Sequence, residues 1–406
     1  MTLQVSERGR AMPASPIRRL MPLADAARAR GVRVLHLNIG QPDLETPAPM
    51  RRRLETAPSV FAYSPSGGTA ECVATLREYY ARLGHALGDG EILATTGGSE
   101  AILFAFMACA NPGDEALLVE PFYTNYSAFA AMAGLRLVPI RARAEDGFHL
   151  PPRAEWEKAL TPRTKLVLLC NPNNPTGTVY TREEVEAVAA FCREHSLFLV
   201  ADEVYRELVY DGRRATSVLS VRGCEEMAVV VDSLSKRYSA CGIRLGCLVT
   251  RNRDVYGAAL RMAQGRLSPP GLAQLVAQGA NDLGPDYVAT MVAEYQARRD
   301  VLFDGLSRIP GVFLRKPEGA FYFVARLPVD DGDAFASWLL EEFSLDGQTV
   351  MVAPAAGFYA TPGLGKDEVR IAYVLRREDL EAAVRVLERA IPEYQAARLA
   401  GARARA

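Results

Sequence analysis

Histidine is scarce in this chain, with four in 406 residues. That leaves little material for a Ser/His/Asp triad or a histidine-ligated metal centre, and no metal is expected. The seven cysteines include no CxxC pair and no metal-type spacing. Cys109, Cys170, Cys192 and Cys247 sit inside apolar runs, where a free thiol packs as a small hydrophobe, so a reducing, cytoplasmic setting is expected. Neither GxGxxG nor GK[ST] occurs, so a phosphate held here belongs to something other than NAD or ATP. No stretch reaches the ~18 apolar residues of a membrane helix. The opening segment, MTLQVSERGRAMPASP, has no apolar core for a signal peptide. Nor does either charge predominate. Lys+Arg number 47 against 48 Asp+Glu, a formal net charge of -1, which offers no basic field for nucleic acid and no polybasic face for lipid. Arg51, Arg52 and Arg53 form a local basic run that reads as a solvated helix face.

What is present is an ordinary soluble composition, 49% apolar and 23% charged. The length suits two or three domains at roughly 100–200 residues each. Short apolar runs occur at residues 116–120 (ALLVE), 135–140 (LRLVPI), 165–170 (KLVLLC), 197–202 (LFLVAD), 227–232 (MAVVVD) and 246–250 (GCLVT). Most are continuous rather than alternating, as expected of parallel strands covered on both faces. Helical patterns separate them. In TREEVEAVAAFCREH, Thr181 and Glu184 have capping-box spacing, and Val185, Val188, Ala189 and Cys192 follow the i, i+3, i+4, i+7 rule. This alternation predicts an α/β domain with a mostly parallel sheet between helices, over residues 46–295. Beyond it the pattern changes to a long charged helix (EYQARRDVLFDGLSR), alternating strands (GVFLRKPEGAFYFVARL), a helix (DAFASWLLEEF), a strand (VRIAYVL) and a last helix (EDLEAAVRVLERAI). Residues 296–406 are therefore expected to form a smaller α+β domain, with residues 1–45 an arm that packs against it. The tail YQAARLAGARARA has helix formers but no clear apolar face, so its end is expected to fray.

In open α/β sheets ligands sit beyond the carboxyl ends of the strands. Those ends carry NPNNPTG at residues 171–177, DEVY with Asp202 and Tyr205, and SLSK with Ser233, Ser235 and Lys236, followed by Arg244. Upstream, TTGGSEAI puts Gly97, Gly98 and Ser99 at the start of an apolar helical run. A helix N-terminus presents free N–H groups and a positive dipole end, which suits a phosphate. Singly, these features have plainer readings: a turn, a solvated acidic loop, a surface lysine, an N-cap. Their conjunction, in this order at successive strand ends, does not.

NPNNPTG, DEVY and SKxxxxxGxRxG at these separations resemble the class I/II aminotransferases, within the fold type I family of pyridoxal-phosphate enzymes. The resemblance runs from NIGQPD, which starts at Asn38, to VRIAY, which holds Arg370, nearly the whole chain. It implies a large α/β domain that binds pyridoxal 5'-phosphate, a smaller α+β domain, and a homodimer with shared active sites. Lys236 resembles the lysine that forms the internal Schiff base and then shuttles protons as general acid/base. Such a lysine needs a desolvated or cationic neighbourhood to lose its proton. Arg244 would supply positive charge and fork onto the cofactor phosphate, joined by Ser233, Ser235 and the backbone of Gly98 and Ser99. Asp202 resembles the carboxylate that pairs with the pyridine nitrogen and keeps the ring an electron sink. Asn174 and Tyr205 would hold the ring's phenolic oxygen. Tyr123 stands where an aromatic stacks on the pyridine, and many relatives have tryptophan there. Tyr63, in YSPSGG, resembles the tyrosine that reaches a neighbouring subunit's phosphate. Arg370 matches the arginine for the substrate α-carboxylate, and Gly40 is where the backbone nears the substrate.

The resemblance implies transamination between an L-amino acid and a 2-oxo acid, with aspartate or another dicarboxylate a candidate donor. Several aspartate aminotransferases of this subgroup carry a lysine after the paired glycines to read the distal carboxylate; here that residue is Ser99. Arg266, in QGRLSPPG, is the alternative distal reader, or else a surface residue. Two further readings stay open. The same cofactor supports lyase, cyclase or C–C bond-forming chemistry, which the motifs around it do not separate. A pyridoxal-phosphate-binding regulatory module is more remote, because the 37 residues before NIGQPD are too few for a winged helix.

Overall fold

The computed structural model describes residues 3–16 and 18–403. Its central sheet has seven strands in the spatial order Ile92–Thr95, Gly246–Thr250, Ala228–Ser233, Phe198–Asp202, Thr164–Cys170, Glu115–Glu120, Arg136–Arg141. The last five of these run parallel to one another. Gly246–Thr250 is antiparallel to both of its neighbours, so the sheet is mostly, not wholly, parallel. The continuous apolar runs have their predicted cause. Val167, Leu169, Leu199 and Ala201 face one core with Val185, Val188 and Cys192 of the helix Arg182–Glu194. Their alternates Leu166, Leu168 and Val200 face another core with Ala101 and Ala105 of the helix Gly97–Cys109. LRLVPI lies at the sheet's edge, the position where a strand tolerates Pro139. The strand Ile92–Thr95, at the other edge, has no counterpart in the reading of the sequence; four residues are too few to declare a period.

A third core gathers the N-terminal and C-terminal parts of the chain. Leu35 and Leu37 pack there with Phe323, Leu339, Ile371 and Leu387. Arg33–His36 pairs in parallel with Gln348–Met351, and Tyr322–Arg326 lies between Glu368–Ala372 and Phe313–Leu314 in a four-stranded antiparallel sheet. The end of the tail, where fraying is expected, falls outside the described residues. The last helix, Arg377–Arg403, continues because Tyr394 packs edge-on against Phe335 and Trp338 and Arg398 pairs with Asp330; residues 404–406 lie outside the described residues.

The capping box of Arg182–Glu194 forms, with the Thr181 side chain accepting from the Glu184 N–H and Glu184 accepting from the Thr181 N–H. Glu184 also accepts from the Leu150 N–H at 2.8 Å and meets His149 Nδ1 at 2.9 Å, tying a loop to the helix start. The hydrogen bond to Glu184 raises the His149 pKa above its ordinary 6.5. A raised histidine pKa contributes stability that is complete below about pH 6.5 and is lost as pH rises through the folded-state value. His149→Asn keeps a donor in place but cannot titrate. Urea melts should show it less stable than wild type near pH 5.5, by under about 1 kcal/mol because the pair is partly exposed, with the gap closing by about pH 8.5. A gap independent of pH would show that the ion pair is not formed.

Candidate active site

The carboxyl ends of the parallel strands open onto a cavity of about 660 Å³. Ala228–Ser233 ends there and turns at once into the short helix Leu234–Arg237, where Ser233 Oγ accepts from the Ser235 N–H at 3.2 Å. This turn puts Lys236 at the cavity, with Nζ 2.8 Å from the Gly40 carbonyl and 3.9 Å from Cys241 Sγ. Gly40 can come this close because it lacks a side chain: a Cβ there would overlap the Tyr322 hydroxyl.

One end of the cavity is built for an anion. The helix Gly97–Cys109 begins at it with uncapped N–H groups, which carry the positive end of the helix dipole. Gly98 and Ser99 line it, as do Ser233 and Ser235, whose hydroxyls lie 2.8 Å apart. Arg244 adds a guanidinium, oriented by its own bond to the Cys241 carbonyl at 3.0 Å. Gly97, at φ 71°, leaves the room that guanidinium occupies, since a Cβ would strike it.

Asp202 closes its strand in the same cavity. Its Oδ2 accepts from the Tyr126 hydroxyl at 2.6 Å and its Oδ1 from the Val204 N–H at 3.3 Å. Burial pushes its pKa up to about 6 despite these two bonds, so the carboxylate lacks compensation. Arg370 has the opposite shortage. It is 1% exposed, and burial lowers its pKa. It donates to the Asn38 carbonyl and to Asn174 Oδ1, and lies 4.4 Å over the Tyr322 ring. Among the described residues no carboxylate pairs with it, and its Nε has no partner. Tyr205 and Tyr322 share a hydroxyl–hydroxyl bond of 2.9 Å. Tyr123 lines the cavity edge-on to Tyr126, and its hydroxyl accepts from Asn125 Nδ2 at 2.8 Å.

The expected residues thus converge, with two exceptions. Tyr63 is 80% exposed and away from the cavity of its own chain. Arg266 does not line the cavity; its Nε donates to Glu100 at 3.1 Å and its Nη2 to the Ala94 carbonyl at 3.2 Å. The sequence reading missed Tyr126, three residues after Tyr123, whose carbonyl accepts from the Tyr126 N–H at 2.9 Å in the turn that opens the helix Asn125–Ala133. It also missed Tyr322 and Cys241, as well as Ser15 and Arg18, which reach the cavity from the N-terminal segment without a local signal. A second cavity, of about 650 Å³, lies behind the NPNNPTG turn. Its cations are already engaged: Arg213 by Glu318, Lys316 by Asp300, His149 by Glu184, and Arg315 by the Glu145 carbonyl.

A sheet of this topology, with a lysine, a buried carboxylate and an anion cradle at its strand ends, defines a class of cofactor-dependent group-transfer enzymes. Comparison with known proteins supplies the family. The model for aminotransferase class I and II matches residues 32–387. The aspartate/prephenate aminotransferase of Thermus thermophilus is 31% identical, over 95% of this chain and 99% of its own. The aspartate aminotransferase of Bacillus subtilis is 28% identical, over 97% and 100%. Among solved structures, a mutant aspartate aminotransferase of Thermus thermophilus superposes with a TM-score of 0.87 at 30% identity, covering 96% of this chain and all of that one. The alanine aminotransferase of Pyrococcus furiosus reaches the same TM-score at 27% identity, again over 96% and 100%. The chain belongs to the class I and II aminotransferase family, has its fold type I architecture, and is a pyridoxal 5'-phosphate-dependent transferase of amino groups from amino acids to 2-oxo acids. Its residues suit that cofactor: an amine for an aldehyde, a cradle for a phosphate, and an undercompensated buried carboxylate for a protonated ring nitrogen.

Proposed function

We propose that the three groups converging on the cavity divide the aminotransferase reaction among them, and this convergence in a chain of this family carries the reading. Lys236 anchors the cofactor covalently and moves the proton at the substrate α-carbon through Nζ. Asp202 holds the proton of the ring nitrogen, and Arg370 receives the α-carboxylate, with Asn174 and Gly40 beside it. Gly98, Ser99, Ser233, Ser235 and Arg244 hold the phosphate, Tyr205 and Asn174 the phenolic oxygen, and Tyr123 the ring face. When bound, the cofactor supplies an electron sink for the α-carbon's electron pair. Borohydride reduction of the purified protein followed by peptide mapping should place the cofactor on Lys236. Recovery on a different lysine would overturn the whole assignment.

Two domains are part of this reading: a cofactor-binding one over residues 46–295, and a smaller one over 296–406 that includes the segment before residue 46. So is a cytoplasmic setting, which the seven free thiols favour. Among the described residues no helix is long and apolar enough to cross a membrane. Assembly follows from exposure. Val60, Phe61 and Tyr63 are 72%, 70% and 80% exposed in consecutive or near-consecutive positions, an apolar stretch that a second copy would cover while bringing Tyr63 to its phosphate. Light scattering should find a dimer, and Tyr63→Phe should weaken cofactor binding without dissociating it. A fully active monomer would remove Tyr63 from the site.

The donor we propose is a dicarboxylic amino acid. Relatives bear aspartate and aspartate/prephenate names. Arg18 lines the cavity and is exposed, and among the described residues its guanidinium has no ion-pair partner. It is thus free for a side-chain carboxylate, as Arg266 is not. Arg18→Ala should lower kcat/KM for aspartate or glutamate at least about tenfold more than for a neutral amino acid, equivalent to about 1.4 kcal/mol. Arg266→Ala should not discriminate between the two classes. Equal losses for both classes in the Arg18 variant would refute the role.

A further inference from the structure

Behind the cavity the protein buries four charges that the reaction does not use. Asp232 and Arg237 are 0% and 2% exposed, and Glu203 and Arg206 are 2% and 7% exposed. Each neighbours a cavity residue in sequence: Asp232 precedes Ser233, Arg237 follows Lys236, Glu203 follows Asp202 and Arg206 follows Tyr205. Asp232 and Arg237 thereby bracket the four residues that carry both phosphate-facing hydroxyls and the lysine. Their side chains meet on the side away from the cavity in a two-point bond, Arg237 Nη1 to Asp232 Oδ1 at 3.1 Å and Nη2 to Oδ2 at 2.9 Å.

Further contacts fix this geometry. Asp232 Oδ1 also accepts from the Ser233 N–H at 2.7 Å, and the Arg237 carbonyl accepts from the Tyr287 hydroxyl at 2.8 Å. The Arg237 guanidinium lies 3.8 Å over the Tyr79 ring and donates to the hydroxyl of that residue at 3.0 Å. The second pair has a single point of contact. Glu203 and Arg206 meet at 2.7 Å across Val204 and Tyr205, and Glu203 accepts from the Val218 N–H at 2.9 Å. The Tyr80 hydroxyl connects the two pairs, at 3.4 Å from both Asp232 Oδ2 and Arg206 Nη2.

Buried ion pairs add little stability over apolar residues of the same volume, because desolvation offsets the attraction. What they impose is geometry: a planar fork on a carboxylate has one arrangement. We propose that the Asp232–Arg237 pair is a clasp that pre-shapes the Ser233–Lys236 turn for the cofactor, making Asp232 and Arg237 positioning residues. The free protein already holds the two hydroxyls and the amine in their working arrangement, so binding need not order them. The clasp rests on the reading of Lys236 as the anchor, and its test separates the two.

The test replaces the clasp by an apolar pair, Asp232→Leu with Arg237→Met. The expected result is a melting temperature of the cofactor-free protein at or above wild type, together with a cofactor Kd raised at least tenfold and a lower kcat. Peptide mapping of the reduced double variant should still find the cofactor on Lys236; a different lysine would refute the anchor rather than the clasp. A wild-type Kd in the double variant would overturn the clasp. Should the double variant not fold, Arg237→Lys decides, since it keeps the charge and gives up the fork. A raised Kd in that variant, with the melting temperature kept, supports the clasp, and an unchanged Kd overturns it.

Discussion

The site is organised around the cost of burying the carboxylate of Asp202. A parallel strand covered on both faces carries it out of water, and at the strand end, among the described residues, the Tyr126 hydroxyl and one backbone N–H donate to it. These do not offset the desolvation, which is why its pKa stays raised to about 6. Arg370 is buried in the same cavity and, among the described residues, meets neutral oxygens and the Tyr322 and Phe358 rings but no carboxylate. The protein therefore keeps one undercompensated anion and one undercompensated cation facing a common space. A ligand with a cation for the first and a carboxylate for the second relieves both, and solvent does so poorly. This is electrostatic preorganisation: the charges are placed before the reactants arrive.

The cavity exists because two cores meet at it. The sheet brings Asp202, Ser233 and Lys236, whereas the core formed by the chain's two ends brings Tyr322, Arg370 and the segment before Gly40. Tyr205 belongs by sequence to the sheet and by packing to the other core, and its hydroxyl bond to Tyr322 joins them. Small residues let the parts approach. Gly40 admits the Tyr322 hydroxyl and Gly97 admits Arg244, so the lysine and the phosphate cradle each depend on a missing Cβ.

Substrate choice lies apart from this machinery. The chain is as close in fold to an alanine aminotransferase as to an aspartate aminotransferase, at a TM-score of 0.87 for each. A fold shared so evenly fixes the reaction common to both and leaves the side-chain preference to residues at the cavity's rim. In this chain Ser15 and Arg18 of the N-terminal segment line the cavity.

Much of the fold and of the cofactor site was legible in the sequence, because their signals are short-range. A capping box spans four residues, an apolar run marks a doubly covered strand, and a strand end is adjacent to the residues it presents. Hence local pattern and spacing placed Asp202, Asn174, Ser233, Lys236 and Arg244 at or just beyond strand ends, and they line one cavity. The rest depends on residues far apart in the chain. No local pattern pairs Arg33–His36 with Gln348–Met351, points the Tyr126 hydroxyl at Asp202, or sets Tyr322 against Gly40. Arg266 and Arg18 are both arginines in plausible stretches, and only packing gave Glu100 to the first and left the second facing the cavity. By itself the sequence determined which side chains stand at the strand ends, because a strand end lies next in the chain to the residues it presents. Tertiary structure alone decided which charges are spent on internal partners and which remain for a ligand, because partnership is settled by distance in space.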